Sequence, residues 1–282
     1  MVPSLSTLWQ EINKLYLHHM EPQVIKLSVA LAVYNEENNL GERLETIKSI
    51  ADEIVIVDGQ STDKTVEIAL QYGAKVISQE NRSNFHINKQ HAIDACKGVW
   101  ILQLDADERV SSMLAKEISA IVNAPENAQP AAYYLKRRNY FLGRWMTKGG
   151  MYPDPVIRLF QRGQARLPQA SVHELMEVNG ATKWITEDLL HIADPNFSRY
   201  LLRSNRYTSL QAEDWLKEGK LGTDIWTIIK FILIKPFVRF LAIYLRHKGF
   251  QDGFPGFVFA WYSGLHIASS YVKYWEQKTL KV

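Results

Sequence analysis

Short apolar segments separated by helix-forming stretches dominate the chain between Leu27 and Leu104. The sequence predicts four of them as strands, over the ranges Leu27–Val33, Ile54–Val57, Lys75–Ser78 and Val99–Leu104. The stretches between them carry apolar residues at helical spacing. Strands that alternate with helices pair in parallel through right-handed crossovers. The pattern therefore predicts an α/β fold built on a doubly wound, mostly parallel sheet.

Acidic and aromatic residues cluster where these strands end. Tyr34 and Glu36 follow the first strand, Asp58 ends the second, and Asp105 and Asp107 follow the fourth. Open α/β sheets bind their ligands at this edge. Two carboxylates that project to the same side, together with phosphate oxygens, are usual ligands of Mg²⁺ or Mn²⁺ beside a nucleotide. The D-x-D segment thus predicts a metal site, and a solvated acidic turn is the alternative interpretation.

The common phosphate-binding loops do not occur in the sequence. It contains neither G-x-x-x-x-G-K-[ST] nor a G-x-G-x-x-G after a strand, which argues against P-loop and dinucleotide-binding folds. His173 and Glu174 do not form a zinc protease motif, because Glu177 replaces the second histidine of H-E-x-x-H. A carboxylate site without a glycine-rich loop favours a nucleotide diphosphate sugar, whose phosphates a metal neutralises.

Charge is distributed unevenly along the 282-residue chain, whose net charge is +3. Residues 199–282 contain 13 lysines and arginines and 6 acidic residues, so they carry +7 and residues 1–198 carry −4. Arg199, Arg203 and Arg206 fall close together on one side of a predicted helix. A basic, aromatic-rich end indicates an anionic membrane surface as partner. The single cysteine, Cys96, excludes a disulfide framework and favours a reducing compartment.

Helical patterns with apolar faces occur at both ends of the chain. Residues 1–24 predict an amphipathic helix without a signal peptide pattern. In the apolar stretch Ile225–Leu245 and just beyond it, Lys235, Arg239 and Arg246 predict a basic stripe, which is typical of helices that lie in a membrane interface. Residues 253–272 are uncharged over 20 positions, but a polar stripe favours an interfacial or protein-packed helix over a transmembrane span.

Three motifs resemble those of the inverting family 2 glycosyltransferases, which have the GT-A fold. They are LSVALAVYNEENNL, IVIVDGQSTDKT and NFHINKQHAIDACKGVWILQLDADE, in the family's order from Leu27 to about Ser112. The resemblance implies a nucleotide-sugar site with these donor-binding residues: Ala32, Tyr34, Glu36, Asp58, Lys89, Asp105 and Ala106. It implies Asp105 and Asp107 as ligands of Mg²⁺ or Mn²⁺. Many members have a second acidic residue in the base-binding motif, where this chain has Gly59.

The second half of the chain resembles the acceptor half of the lipopolysaccharide-core subgroup of that family. The motifs that carry this resemblance are Gly150–Asp154, Arg158–Phe160 and Val172–Glu174. It implies Tyr152, Arg158 and His173 on the acceptor side.

The general base of an inverting transfer is a single carboxylate. The V-H-E motif implies Glu174 for this role. Asp188, or Glu187 beside it, is the alternative, because other branches of the family use a T-E-D motif. A late histidine, His191, is a further candidate metal ligand, and a structural histidine is an equally good interpretation.

These observations predict a peripheral glycosyltransferase on the cytoplasmic face of the cell membrane. Residues 1–24 would form the amphipathic helix, 25–198 the GT-A catalytic domain (25–122 the nucleotide-sugar half, 123–198 the acceptor half) and 199–282 a helical, membrane-associating extension. The resemblance implies transfer of a hexose, from UDP-glucose, to a lipid-linked saccharide such as the lipopolysaccharide inner core. The alternatives are a polyisoprenyl-phosphate glycosyltransferase and a non-catalytic membrane-bound adaptor. No nucleic acid partner is expected.

Overall fold

The structure is a computed structural model, which describes residues 24–82, 84–125, 129–168, 175–194 and 196–280. The helix predicted for residues 1–24 lies outside these ranges except for its last residue, and His173 and Glu174 also lie outside them. In the described part, strands and helices alternate over the first half, and helices follow from residue 197. The predicted α/β class is confirmed.

The first half of the chain forms the parallel part of the sheet. Its strands are β1 (Leu27–Val33), β2 (Glu53–Asp58), β3 (Lys75–Ser78) and β4 (Trp100–Leu104), in the spatial order β3-β2-β1-β4. The crossover helices are α1 (Leu40–Ile47), α2 (Thr65–Gln71) and α3 (Phe85–Asp94). β1 and β4 lie inside the sheet and are buried on both faces, which explains why their sequences are continuous apolar runs.

The second half extends the sheet beyond β4 in the order β4-β8-β6-β11-β5. These strands are β5 (Glu108–Arg109), β6 (Ala132–Phe141), β8 (Asp154–Gln161) and β11 (Thr182–His191). Further elements of this half are α4 (Ser112–Val122), β7 (Arg144–Trp145), β9 (Ala165–Arg166) and β10 (Glu177–Val178). β8 is antiparallel to both neighbours, whereas β6 and β11 are parallel. Because Glu108 pairs with His191, the turn after β4 lies beside the end of β11.

The C-terminal region is helical and is attached to the second half of the sheet region. Its helices are α5 (Phe197–Glu218), α6 (Ile225–Ile229), α7 (Lys235–Leu241) and α8 (Gly253–Leu280). α8 packs closely on α7 at Gly264, where a Cβ would lie 2.6 Å from the carbonyl oxygen of Pro236. The buried Asp252 carboxylate accepts hydrogen bonds from the Thr147 hydroxyl (2.9 Å) and the Lys148 N–H (2.7 Å). These bonds join the helical region to the loop after β7.

Two π-helical segments, Lys230–Ile234 and Ala242–Arg246, flank α7. Pro236, in the first turn of α7, has no N–H to donate to the preceding turn, which accounts for the first of them. A π-helical turn holds more residues than an α-helical turn. The regular helical spacing that predicts Arg246 beside Lys235 and Arg239 therefore does not apply across the second segment. Among the described helices, including α8 with residues 253–272, none combines the length and apolar character needed to cross a bilayer.

Candidate active site

The carboxyl ends of β1, β2 and β4 lie side by side, as the sequence predicts. Val33, the last residue of β1, pairs with Asp58 of β2, and β4 pairs with β1 on its other side. Burial raises the pKa of Glu36, which follows β1, and the nearby charge of Asp107 raises it further. Residues from separate strand ends therefore share one site.

Asp58, the residue implied for base binding, is buried next to the turn that contains Ser61. Its carboxylate accepts hydrogen bonds from the Ser61 N–H (3.0 Å) and the Ser61 hydroxyl (2.5 Å). Space for a side chain at Gly59 is tight, because a Cβ there would lie 3.1 Å from Asn81 Cβ and 3.3 Å from Tyr34 Cβ. An acidic residue at position 59 would have to displace these neighbours.

The two alanines implied for the donor site are partly buried. Ala32 lies in β1, one residue before the strand ends, and Ala106 lies between the two aspartates and packs against the main apolar core. Tyr34 is 45% exposed, so its ring is accessible at this edge.

Asp105 is paired with two cations. Its Oδ2 lies 2.6 Å from Arg158 Nη2, and its Oδ1 forms an ion pair with Lys89 Nζ. Burial opposes ionisation of this carboxyl, but the charges of Arg158 and Lys89 outweigh that effect and hold its pKa far below the usual range. Asp105 is therefore ionised and holds the Lys89 ammonium at the edge of the site.

Arg158, which the resemblance implied for the acceptor side, is buried against the turn that contains Asp105. Its buried guanidinium donates to Glu108 Oε1 (2.8 Å) and Gln103 Oε1 (2.5 Å). Glu108 in turn accepts the Asp105 N–H at 2.9 Å. This network orders the turn after β4, so Arg158 is a positioning residue for Asp105.

Replacing Arg158 by Met is expected to destabilise the protein by about 3–5 kcal/mol, because Asp105 and Glu108 would remain buried with less compensating charge. Denaturant unfolding followed by circular dichroism measures the change. The control is Arg166→Met, which removes an exposed ion pair with Glu177 and is expected to cost less than about 1 kcal/mol. Equal losses in the two variants would contradict the importance of the buried network.

Asp107 and His191 face each other at the same edge. Oδ2 of Asp107 lies 3.3 Å from Nε2 of His191, and Oδ1 of Asp107 is buried without a hydrogen-bond partner among the described residues. Burial acts to raise the pKa of Asp107, but the hydrogen bond and the charge of His191 outweigh it and lower that pKa. Asp107 is thus an ionised carboxylate with an unused oxygen.

The orientation of His191 is fixed by Asn139. The Asn139 amide group donates to the Met151 carbonyl (2.7 Å) and to Asp154 Oδ2 (3.0 Å), which assigns Asn139 Oδ1 as the atom 2.5 Å from His191 Nδ1. An amide oxygen only accepts hydrogen bonds, so His191 Nδ1 carries a proton. Nε2, the atom that faces Asp107, donates to that carboxylate when the ring is charged, and in the neutral ring it carries the lone pair that can bind a cation.

These donor atoms fit a divalent cation. A carboxylate oxygen without a partner and an imidazole lone pair are ligands that Mn²⁺ accepts, and a hydrogen bond to the other ring nitrogen is usual for ligating histidines. In the part of the chain that the structure describes, no group of three or more His, Cys, Asp or Glu side chains forms a metal shell. A cation held by Asp107 and His191 would therefore take its other ligands from a diphosphate and water.

A cavity of about 360 Å³ adjoins His191. Asp154, Asp194 and Arg203 contribute polar groups to its lining, and Phe259 of α8 contributes an apolar wall. The helical region therefore helps to shape the site. Phe259 has no local sequence signal, since it reaches the cavity only through tertiary packing.

Asp188, the alternative base, is a buried and paired carboxylate. Arg138 Nε donates to it at 2.7 Å, and Lys136 Nζ lies 3.4 Å away. The Tyr152 hydroxyl also donates to Asp188, at 3.1 Å, while its ring packs edge-on against Trp145. These contacts connect β6, β11 and the loop before β8.

Comparisons with known proteins place the chain in a family. The family described as Glycosyl transferase family 2 matches residues 28–174, more than half of the chain. An uncharacterized glycosyltransferase of Rickettsia bellii (strain RML369-C) is 30% identical over 244 residues, covering 83% of this chain and 80% of that protein. The lipopolysaccharide core biosynthesis glycosyltransferase LpsC of Rhizobium meliloti (strain 1021) is 27% identical over 263 residues, covering 91% of this chain and 94% of LpsC.

A solved structure shares the fold. The mannosyltransferase PcManGT of Pyrobaculum calidifontis, in complex with GDP-Man and Mn²⁺, aligns with a TM-score of 0.52 at 13% identity. The alignment covers 95% of this chain and 94% of that one, and it agrees with the predicted GT-A architecture. The match over residues 28–174 and the relatives in Rickettsia and Rhizobium show that the chain belongs to glycosyl transferase family 2.

Proposed function

We propose that this family 2 glycosyltransferase moves a hexose, with inversion, from a nucleotide diphosphate sugar to a saccharide carried on a lipid, such as the lipopolysaccharide inner core. The observation that carries the proposal is the Asp107–His191 pair beside a cavity at the strand ends. The similarity to LpsC, which is named for lipopolysaccharide core biosynthesis, supports the acceptor class. The subgroup resemblance of the sequence favours UDP-glucose as donor.

The donor is proposed to lie along the edge formed by β1, β2 and β4. Asp58 would accept hydrogen bonds from the base, and Tyr34 would line the nucleoside pocket. Lys89, an ammonium held by Asp105, would pair with the diphosphate. The close packing around Gly59 supports a base contact made by Asp58 alone in that motif.

Asp107 and His191 are the residues that would hold Mn²⁺ or Mg²⁺. A cation bound there would neutralise the charge that develops on the diphosphate as it leaves. Asp105, implied as a second ligand, already contacts Lys89 and Arg158. Its ion pairs favour an indirect role, in which it keeps the Lys89 ammonium in position.

The proposed chemistry is a single displacement. The acceptor hydroxyl oxygen attacks the anomeric carbon while its proton passes to a carboxylate base. The bond between that carbon and the diphosphate oxygen breaks, and its electron pair leaves with the diphosphate. Glu174 is the proposed base, and the pairing of its rival Asp188 with Arg138 and Lys136 supports this choice.

A transfer assay tests the proposal. UDP-glucose, other UDP-hexoses and GDP-mannose are each incubated with the enzyme, Mn²⁺ and either core-truncated lipopolysaccharide or polyprenyl phosphate. We expect a hexose on the lipopolysaccharide, with the anomeric configuration opposite to that of the donor. Transfer to polyprenyl phosphate alone would favour a polyisoprenyl-phosphate glycosyltransferase. Failure of every donor to react or bind would favour a non-catalytic adaptor.

We also propose that the C-terminal helices bind an anionic membrane surface. Ring contacts with centroid distances of 5.3–6.4 Å connect Phe240 and Tyr244 with Phe257 and Trp261 of α8. Exposed apolar side chains in the same helical region are Leu233, Phe237, Phe250 and Phe254. We call these eight residues the apolar C-terminal face. Exposed apolar surface of this kind, with basic residues in the same helices, is typical of membrane interfaces.

The double replacement Phe237→Ser and Phe254→Ser is expected to weaken vesicle binding by about tenfold or more, since each change removes a large apolar side chain from contact with lipid. Co-sedimentation with phosphatidylglycerol-containing vesicles measures the binding. Leu70→Ser, which alters an exposed leucine of α2, is the control and is expected to bind as the wild type does. If the double variant binds vesicles as well as the wild type does, membrane contact would have to be made by another surface.

A further inference from the structure

A basic groove of about 240 Å³ lies between α3 and α5. Arg199, Arg203 and Arg206 of α5 line one wall, and Phe85 of α3 lines the other. The arginines are spaced at i, i+4 and i+7, so they project from the same side of the helix. Within the described residues the lining contains no acidic side chain. The groove is therefore strongly cationic.

Arg206 has no partner in the described part of the chain, and the charge of Arg199 acts only on the nearby carboxylate of Glu36. Arg203 donates to Asp194, with 3.0 Å between Nε and Oδ1. The side chains of Arg199 and Arg206 form neither a hydrogen bond nor an ion pair with another described residue. These like charges lie along one side of the helix, and an anion bound in the groove would compensate them.

The groove lies next to the cavity beside His191. Arg203 lines both the groove and that cavity, so the two spaces share a wall. On the opposite side, Phe85 lies with its ring centroid 4.7 Å from Lys89 Nζ, which pairs with Asp105. A substrate bound at the strand ends can therefore extend into the groove.

We propose that the basic groove binds a phosphate group of one of the substrates, through Arg199 and Arg206. A pair of guanidinium groups matches the geometry and charge of a phosphate ester. The phosphate can belong to a phosphorylated saccharide acceptor or to the diphosphate of the donor. This inference rests on the proposed function for the identity of the substrates, whereas the binding itself is measured without any transfer reaction.

The test compares Arg199→Gln/Arg206→Gln with the control Lys217→Gln/Lys220→Gln, which removes the same charge from outside the groove. Dissociation constants are measured by calorimetry or NMR for UDP with Mn²⁺ and for glucose 6-phosphate. We expect the arginine variant to lose about tenfold or more in affinity for one of the two probes, and the lysine control to bind like the wild type.

Each outcome of this comparison has a defined meaning. Weaker glucose 6-phosphate binding with unchanged UDP binding supports an acceptor phosphate, and the converse supports the donor diphosphate. Unchanged affinity for both probes, or an equal loss in the lysine control, overturns the proposal. Loss of vesicle binding alone also overturns it, because the groove would then contact a membrane. If the enzyme shows no transfer activity, the binding measurements can still be interpreted, and the result counts only against the proposed function.

Discussion

Asp107→Asn is expected to lower the transfer rate by about a thousandfold or more, because the metal-assisted departure of the diphosphate depends on this carboxylate. The fold should persist, because the Asp107 side chain makes few contacts. Its Oδ1 has no hydrogen-bond partner among the described residues, and its Oδ2 lies beside His191. Steady-state transfer from the donor identified by the screen measures the loss, and the thermal unfolding midpoint measures the integrity of the fold.

The control for Asp107 is Asp214→Asn, which changes a partly exposed aspartate of α5 whose lysine partner is 3.9 Å away. Its transfer rate is expected to stay near that of the wild type. An Asp107→Asn protein that is folded and transfers sugar at the wild-type rate would remove the metal role from this residue.

Glu174→Gln is expected to reduce kcat by about a hundredfold to ten-thousandfold, because the amide cannot take up the proton of the acceptor hydroxyl. Affinity for the nucleotide should not change, since the proposed base contacts only the acceptor. Single-turnover transfer and nucleotide titration separate these two effects.

Glu177→Gln is the matched control for Glu174, because it alters an exposed glutamate three residues further along the chain, paired with Arg166. It should keep nearly full activity. Asp188→Asn tests the rival base. If it loses transfer while its stability is unchanged and Glu174→Gln remains active, the assignment of the base is reversed.

The parallel half of the fold could be predicted because buried parallel strands leave a strong local signal. The strands Leu27–Val33 and Lys75–Ser78 have their predicted limits. The second strand is longer by one residue at each end, and the fourth begins one residue later than predicted. The gathering of polar residues at one edge follows from parallel pairing, since every strand ends there. The positions of the strands are therefore sufficient to predict that Asp58, Asp105 and Asp107 gather at one edge of the sheet.

The division of labour between the two aspartates could not be predicted in this way. It depends on Arg158, which stands 53 residues after Asp105 in sequence and reaches it only because β8 pairs with β4. The cavity wall from Phe259 likewise depends on the packing of α8. Spacing along the chain does not encode such long-range contacts. The π-helical segment Ala242–Arg246, which changes the phase of the helix between Arg239 and Arg246, likewise has no signal in the spacing of the sequence.

The most direct test of the account is the affinity for UDP and GDP, measured by calorimetry with Mn²⁺ and with a chelator, in the wild type, Asp107→Asn and His191→Ala. We expect Mn²⁺ to tighten binding of the preferred nucleotide by about tenfold or more in the wild type, and to lose most of this effect in both variants. Equal affinities with Mn²⁺ and with chelator in the wild type would contradict a metal-assisted nucleotide-sugar site at Asp107 and His191.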